Sequence, residues 1–101
     1  MFQYPLKGIR VLDFGWIWAG PALSLLLGDM GAEVIKVEGH RRTDLTRHGV
    51  IWPQADAQPT SVPPNQGMSF NSVNMNKKSI TLNLGKPEGA ALAKQLAAKC
   101  D

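Results

Sequence analysis

The chain has 101 residues, 11 Lys and Arg against 8 Asp and Glu for a formal net charge of +3, and 44% hydrophobic residues. That length supports one small domain, and the composition is that of a globular chain rather than a disordered one. A single Cys excludes an internal disulfide and a thiolate zinc site, no apolar run nears the ~20 residues of a membrane span, and the charge is too mild for a dedicated nucleic-acid binder.

In chain order, Ile9–Phe14 is β-branched and aromatic, lies between Gly8 and Gly15, and reads as a buried strand. A short linker, Trp16–Gly20, leads to Pro21, a residue suited to the first turn of a helix because its missing N–H costs nothing there. Pro21–Met30 carries Leu23, Leu25, Leu26 and Leu27, so a short helix buried almost all round is expected, stopped by Gly31. Glu33–Glu38 is the second strand, completing a βαβ unit with a right-handed crossover. Residues 39–67 are irregular and hold Pro53, Pro59, Pro63 and Pro64; so long a stretch is usually a functional or disordered loop. Met68–Val73 suits a short helical turn, and Ser79–Leu84 alternates with period two as a strand buried on one face. Pro87–Lys99 is the clearest helix, with Glu88 near its positive end and Lys94 and Lys99 toward its negative end. The expected fold is α/β, part of a Rossmann-like parallel sheet with flanking helices. Strand, helix, strand, loop, strand, helix leaves such a sheet incomplete, so residues 1–101 are expected to be the N-terminal portion of something larger.

Chemistry in open parallel sheets concentrates at the carboxyl ends of the strands. Gly15–Gly20 follows the first strand and enters a helix, where free backbone N–H groups favour an anion. It has neither the spacing of a dinucleotide fingerprint nor that of a phosphate-binding P-loop. Trp16 and Trp18 suit either an apolar pocket wall or core packing. Six of the eleven basic residues lie from Lys36 to Lys78, in or beside connections, an arrangement that suits a phosphate-bearing ligand. His40, Asp44 and His48 lack a convincing metal-ligand pattern, and Cys100 reads as a small apolar residue rather than a reactive thiol.

Six segments then appear in a telling order: Gly8–Phe14, Ala19–Pro21, Asp29–Glu38, Asp44–Arg47, Asn74–Leu84 and Pro87–Gly89. Together they resemble the opening of a class III CoA-transferase, a family that also includes the α-methylacyl-CoA racemases, across roughly Pro5 to Asp101. The resemblance implies a CoA-binding portion of an enzyme that moves CoA between an acyl-CoA and a carboxylic acid. Its implied partners are those two substrates, in an interlocked homodimer of the full-length parent; no metal, nucleic acid or membrane is expected, and the single Cys makes a reducing cytoplasm the default compartment. By position, Ile17, Trp18 and Ala19 would border the CoA thiol end and the acyl group, and Val73, Asn74, Asn76, Lys77 and Lys78 the CoA nucleotide or its pantetheine. The family often has Arg after the acidic residue closing the second strand; here that place is Gly39, and His40, Arg41 or Arg42 would substitute. The family's reactive Asp lies well downstream of Asp101, so the 101-residue chain alone is expected to be inactive. Two alternatives remain: part of an α-methylacyl-CoA racemase, or a small non-catalytic nucleotide-binding module.

Overall fold

Three short strands run parallel in the order β1 (Arg10–Asp13), β2 (Glu33–Glu38), β3 (Lys77–Thr81). The structure is a computed structural model and describes residues 3–48, 63 and 65–101. Helix α1 (Ala19–Asp29) joins β1 to β2, a 3-10 turn (Leu45–His48) and α2 (Met68–Val73) precede β3, and α3 (Pro87–Ala97) follows it. Of the expected 39–67 loop, residues 49–62 and 64 lie outside the described residues. Its first part is more ordered than the sequence implies, because Asp44 and Thr46 are fully buried.

The register explains the core. Asp13 lies beside Lys36, and Val34 beside Lys77, while Val37 lies beside Ile80. Side chains alternate across a strand, so Asp13, Val34, Lys36, Glu38 and Lys77 share one face of the sheet. That face meets α1: Ser24 donates to the Asp13 carboxylate, and Lys77 to the Pro21 carbonyl. Buried residues are accordingly mixed, with Val34, Val37, Phe70 and Val73 beside Asp13, Ser24, Lys36, Glu38, Asp44 and Thr46.

Three expectations need correction. Helix α1 is not buried all round: Pro21, Ser24 and Gly28 face the sheet, whereas Leu23 and Leu26 are each 60% exposed. Small residues let the helix approach the polar sheet face closely and turn the leucines outward. The third strand starts two residues earlier than expected and ends at Thr81, since Asn83 folds a turn by accepting Gly85 N–H on its side chain and Lys86 N–H on its carbonyl. Helix α3 ends at Ala97, two residues before the expected Lys99; its buried residue is Ala93, and Leu92 is exposed. After α3 the chain returns to the far edge of the sheet. There Asp101 N–H donates to the Arg10 carbonyl and its carboxylate accepts Arg10 N–H, both at 2.9 Å.

Candidate functional site

The carboxyl ends of the three strands open onto a crevice of about 690 Å³, within the ~300–1,000 Å³ of small-molecule sites. The exit of β1 supplies Phe14 and Trp16, that of β2 supplies Gly39 to Arg42, and that of β3 supplies Leu82 to Gly85, with Val37 and Glu38 between them. The Arg42 guanidinium lies 5.1 Å from the centre of the Trp16 ring, a cation–π contact that joins two walls. His40, Arg41 and Arg42 are exposed, and Arg41 and Arg42 form no ion pair among the described residues. The crevice thus combines an apolar wall with cations available to a ligand.

Beneath it lies a layer of charge, balanced pair by pair. Lys77 meets Asp13 at 3.1 Å, Lys36 meets Asp44 at 3.3 Å, and Arg47 meets Glu38 at 2.6 Å. Phe70 packs against the layer, with the Arg47 guanidinium 3.8 Å and the Lys36 ammonium 5.9 Å from its ring centre. Burial would raise each carboxyl, but donors outweigh it. Ser24, Gly15 N–H and Lys77 hold Asp13 below the ordinary carboxylate range; Arg47 and Asp44 N–H do so for Glu38. Thr46, through its hydroxyl and N–H, and Lys36 do the same for Asp44. Burial lowers Lys77, and Asp13 only partly offsets it. The two shifts pull the Asp13–Lys77 pair in opposite senses, and the ionised pair is the state the geometry supports. The ammonium has three acceptors, Asp13, Pro21 O and Asn74 Oδ1, at 2.8–3.1 Å.

The turn between β1 and α1 is tightly held. Gly15 and Gly20 approach so closely that a Cβ on Gly15 would sit 2.8 Å from an Asp13 oxygen and 2.9 Å from Gly20 Cα. Ile17 has φ +67°, a left-handed conformation costing a β-branched residue on the order of 1–3 kcal/mol.

The sequence-predicted residues separate into two groups. Arg41 lines the crevice, as does Trp16. Ile17, Trp18 and Ala19 are exposed at the edge of the same turn but are not part of its lining. Val73 is buried, the Asn74 amide N–H donates to the Phe70 carbonyl, and that of Asn76 to Gly28 O. Lys77 has its donors occupied internally, and Lys78 pairs with Glu33, which also pairs with Arg10. Of the six cations from Lys36 to Lys78, four are therefore engaged in ion pairs and two are open to the crevice. Sequence reasoning missed Phe14 and Leu82 to Gly85, because it carried strands through Phe14 and up to Leu84; the Asn83-x-Gly85 turn signal was available to mark the second exit. No group of three metal-ligating side chains occurs among the described residues.

The sequence pattern described as "CoA-transferase family III" matches residues 6–101. The chain belongs to CoA-transferase family III. It is 44% identical over 99 residues to the mouse (Mus musculus) succinyl-CoA:glutarate CoA-transferase, covering 96% of this chain and 20% of that protein. Against a formyl-CoA:oxalate CoA-transferase of Bradyrhizobium sp. (strain ORS 278) it is 38% identical over 96 residues, covering 95% and 20%. A CAIB/BAIF family protein from Brucella suis superposes with TM-score 0.74 at 33% identity, over 96% of this chain and 24% of that one. The chain spans about a fifth of the length of these curated CoA-transferases. Shared membership accounts for the parallel sheet with flanking helices.

Proposed function

We propose that this chain forms the CoA-binding portion of an enzyme that moves CoA from an acyl-CoA to a carboxylic acid. The observation that carries the reading is the crevice at the strand ends, where Arg41 and Arg42 stay open to a ligand while neighbouring cations are consumed in ion pairs. A flexible, phosphate-bearing substrate fits that chemistry: Arg pairs two phosphate oxygens at once, and the Phe14–Trp16 wall takes apolar or ring surface. Ile17, Trp18 and Ala19 continue the same wall and belong to the path of the pantetheine and thiol end. On this reading Asn74, Asn76 and Lys77 act as internal support, through Phe70 O, Gly28 O and Asp13, and Lys78 pairs with Glu33 at the start of β2.

Transfer needs a nucleophilic carboxylate that attacks the acyl-CoA carbonyl and expels CoA thiolate, leaving a mixed anhydride. The thiolate attacks the enzyme's carbonyl of that anhydride, so the donor acid leaves and an enzyme thioester forms. The acceptor carboxylate then runs the same two steps in reverse, to depart as its CoA thioester and free the enzyme carboxylate. Asp13, Glu38 and Asp44 are unsuited, since each is saturated by hydrogen-bond donors. On this proposal the carboxylate comes from a part of the parent protein downstream of this chain. The interlocked homodimer belongs to the same reading, supported by the exposed α1 stripe Leu23, Leu26 and Met30. Arg41→Ala and Arg42→Ala should each weaken CoA binding about tenfold, the loss of one charge-assisted phosphate contact of roughly 1.5 kcal/mol. Isothermal titration at two salt concentrations checks this, and unchanged affinity in both variants would contradict it.

A further inference from the structure

Trp16 is held from both sides by one buried ion pair. The Lys36 ammonium donates to the carbonyl of Gly15, immediately before Trp16, at 2.7 Å. The Asp44 carboxylate accepts the N–H of Ile17, immediately after it, in a long bifurcated contact of 3.3 and 3.4 Å. Lys36 and Asp44 pair with each other at 3.3 Å, and both side chains are inaccessible, at 2% and 0% exposure. Neither is itself a lining residue of the crevice. Between them they fix the two peptide groups that flank Trp16, and Ile17 is kept in its left-handed conformation.

The same pair ties the second wall. Asp44 N–H donates to Glu38 at 2.9 Å, where β2 ends and the Gly39–Arg42 segment begins. Arg42 in turn stacks on Trp16. Peptide, ion pair, carboxylate and guanidinium close a ring through both walls. An ion pair this deep is costly to build relative to apolar packing, so its placement at a turn that holds a β-branched residue at positive φ calls for a geometric purpose.

We infer that Lys36 and Asp44 are positioning residues that aim Trp16 into the crevice and set the relation between its first two walls. The inference rests on the crevice being the CoA site only for its effect on affinity, not for its effect on the turn. Both can be read in the intact protein carrying Trp52→Phe, which leaves Trp16 and Trp18 as this segment's tryptophans. The variants are Asp44→Asn, Ile17→Gly and the two combined. Lys36→Met with Asp44→Asn serves if Asp44→Asn alone fails to fold, because it removes the buried ammonium together with its partner charge.

Asp44→Asn, or its Lys36→Met companion, should raise acrylamide quenching of the tryptophans about twofold. CoA affinity should fall about tenfold, and KM for acyl-CoA should rise more than kcat falls. Glycine adopts the left-handed turn without help, so adding Asp44→Asn to Ile17→Gly should change quenching and affinity less than threefold further. A folded Asp44 variant with wild-type quenching overturns the inference, as does an equal loss in both backgrounds. If the wild-type protein binds no CoA, the CoA reading of the crevice fails. The quenching comparison then decides the positioning claim alone, with a rise in Asp44→Asn that is absent on top of Ile17→Gly supporting it.

Discussion

At the scale of single residues, the structure divides its charges into those that hold the fold and those offered to solvent. Asp13, Glu38 and Asp44 have carboxyls held below their ordinary values, so the native state binds fewer protons than the unfolded chain near pH 4. The stability they contribute is present above the unfolded carboxyl range and is lost as pH falls through their depressed native values. Unfolding midpoints should therefore drop steeply below about pH 4 and hold nearly level from about pH 5 to 8, measurable by urea denaturation across that range. Lys77→Met removes one partner of a buried pair, a class of change that costs about 3–5 kcal/mol. Asp13 keeps Ser24 and Gly15 N–H as donors, which places Lys77→Met at the lower end. Affinity per folded molecule should stay within about threefold of wild type, since the ammonium faces inward; a tenfold loss of CoA binding would instead make Lys77 a direct contact. In sequence, Lys36 and Lys77 are indistinguishable from Arg41 and Arg42. Only the strand register, which sets the first two beside carboxylates on one face, separates them.

At the scale of elements, β2, α2 and the start of α3 follow from the sequence because their apolar spacing and end signals agree. Helix α1 was legible as a helix but not in its orientation. Leucines normally mark the buried face, yet here the sheet presents charge, and only Pro21, Ser24 and Gly28 are small enough to meet it. The third strand's alternation continues past its last pairing residue, so period alone overran Thr81 and hid a wall of the crevice. Residues distant in sequence, Asp44 and Ile17 for example, meet only through the crossover, and no local pattern reports that contact. The β1–α1 turn makes its own prediction. Gly15→Ala places a methyl group against Asp13 and Gly20, an overpacking of about 1–3 kcal/mol. It should lower the thermal midpoint and weaken CoA binding together. A variant with both unchanged would show that the close approach is not required.

For the molecule as a whole, three parallel strands with exits on one side bring segments from all three connections to one crevice. The chain belongs to CoA-transferase family III and corresponds to about a fifth of the length of its curated relatives. The central claim is that this crevice handles CoA during transfer between an acyl group and a carboxylic acid. The most direct measurement incubates the intact protein with succinyl-CoA and an isotope-labelled dicarboxylate, then follows label in the acyl-CoA pool, alongside the Arg41→Ala/Arg42→Ala double variant. The account predicts label in the acyl-CoA pool for the wild type, with at least a tenfold rise in KM for succinyl-CoA in the double variant. Absence of exchange with α-proton loss to solvent from a branched acyl-CoA would contradict transfer in favour of racemisation, and exchange with unaltered KM in the double variant would contradict the crevice as the CoA site.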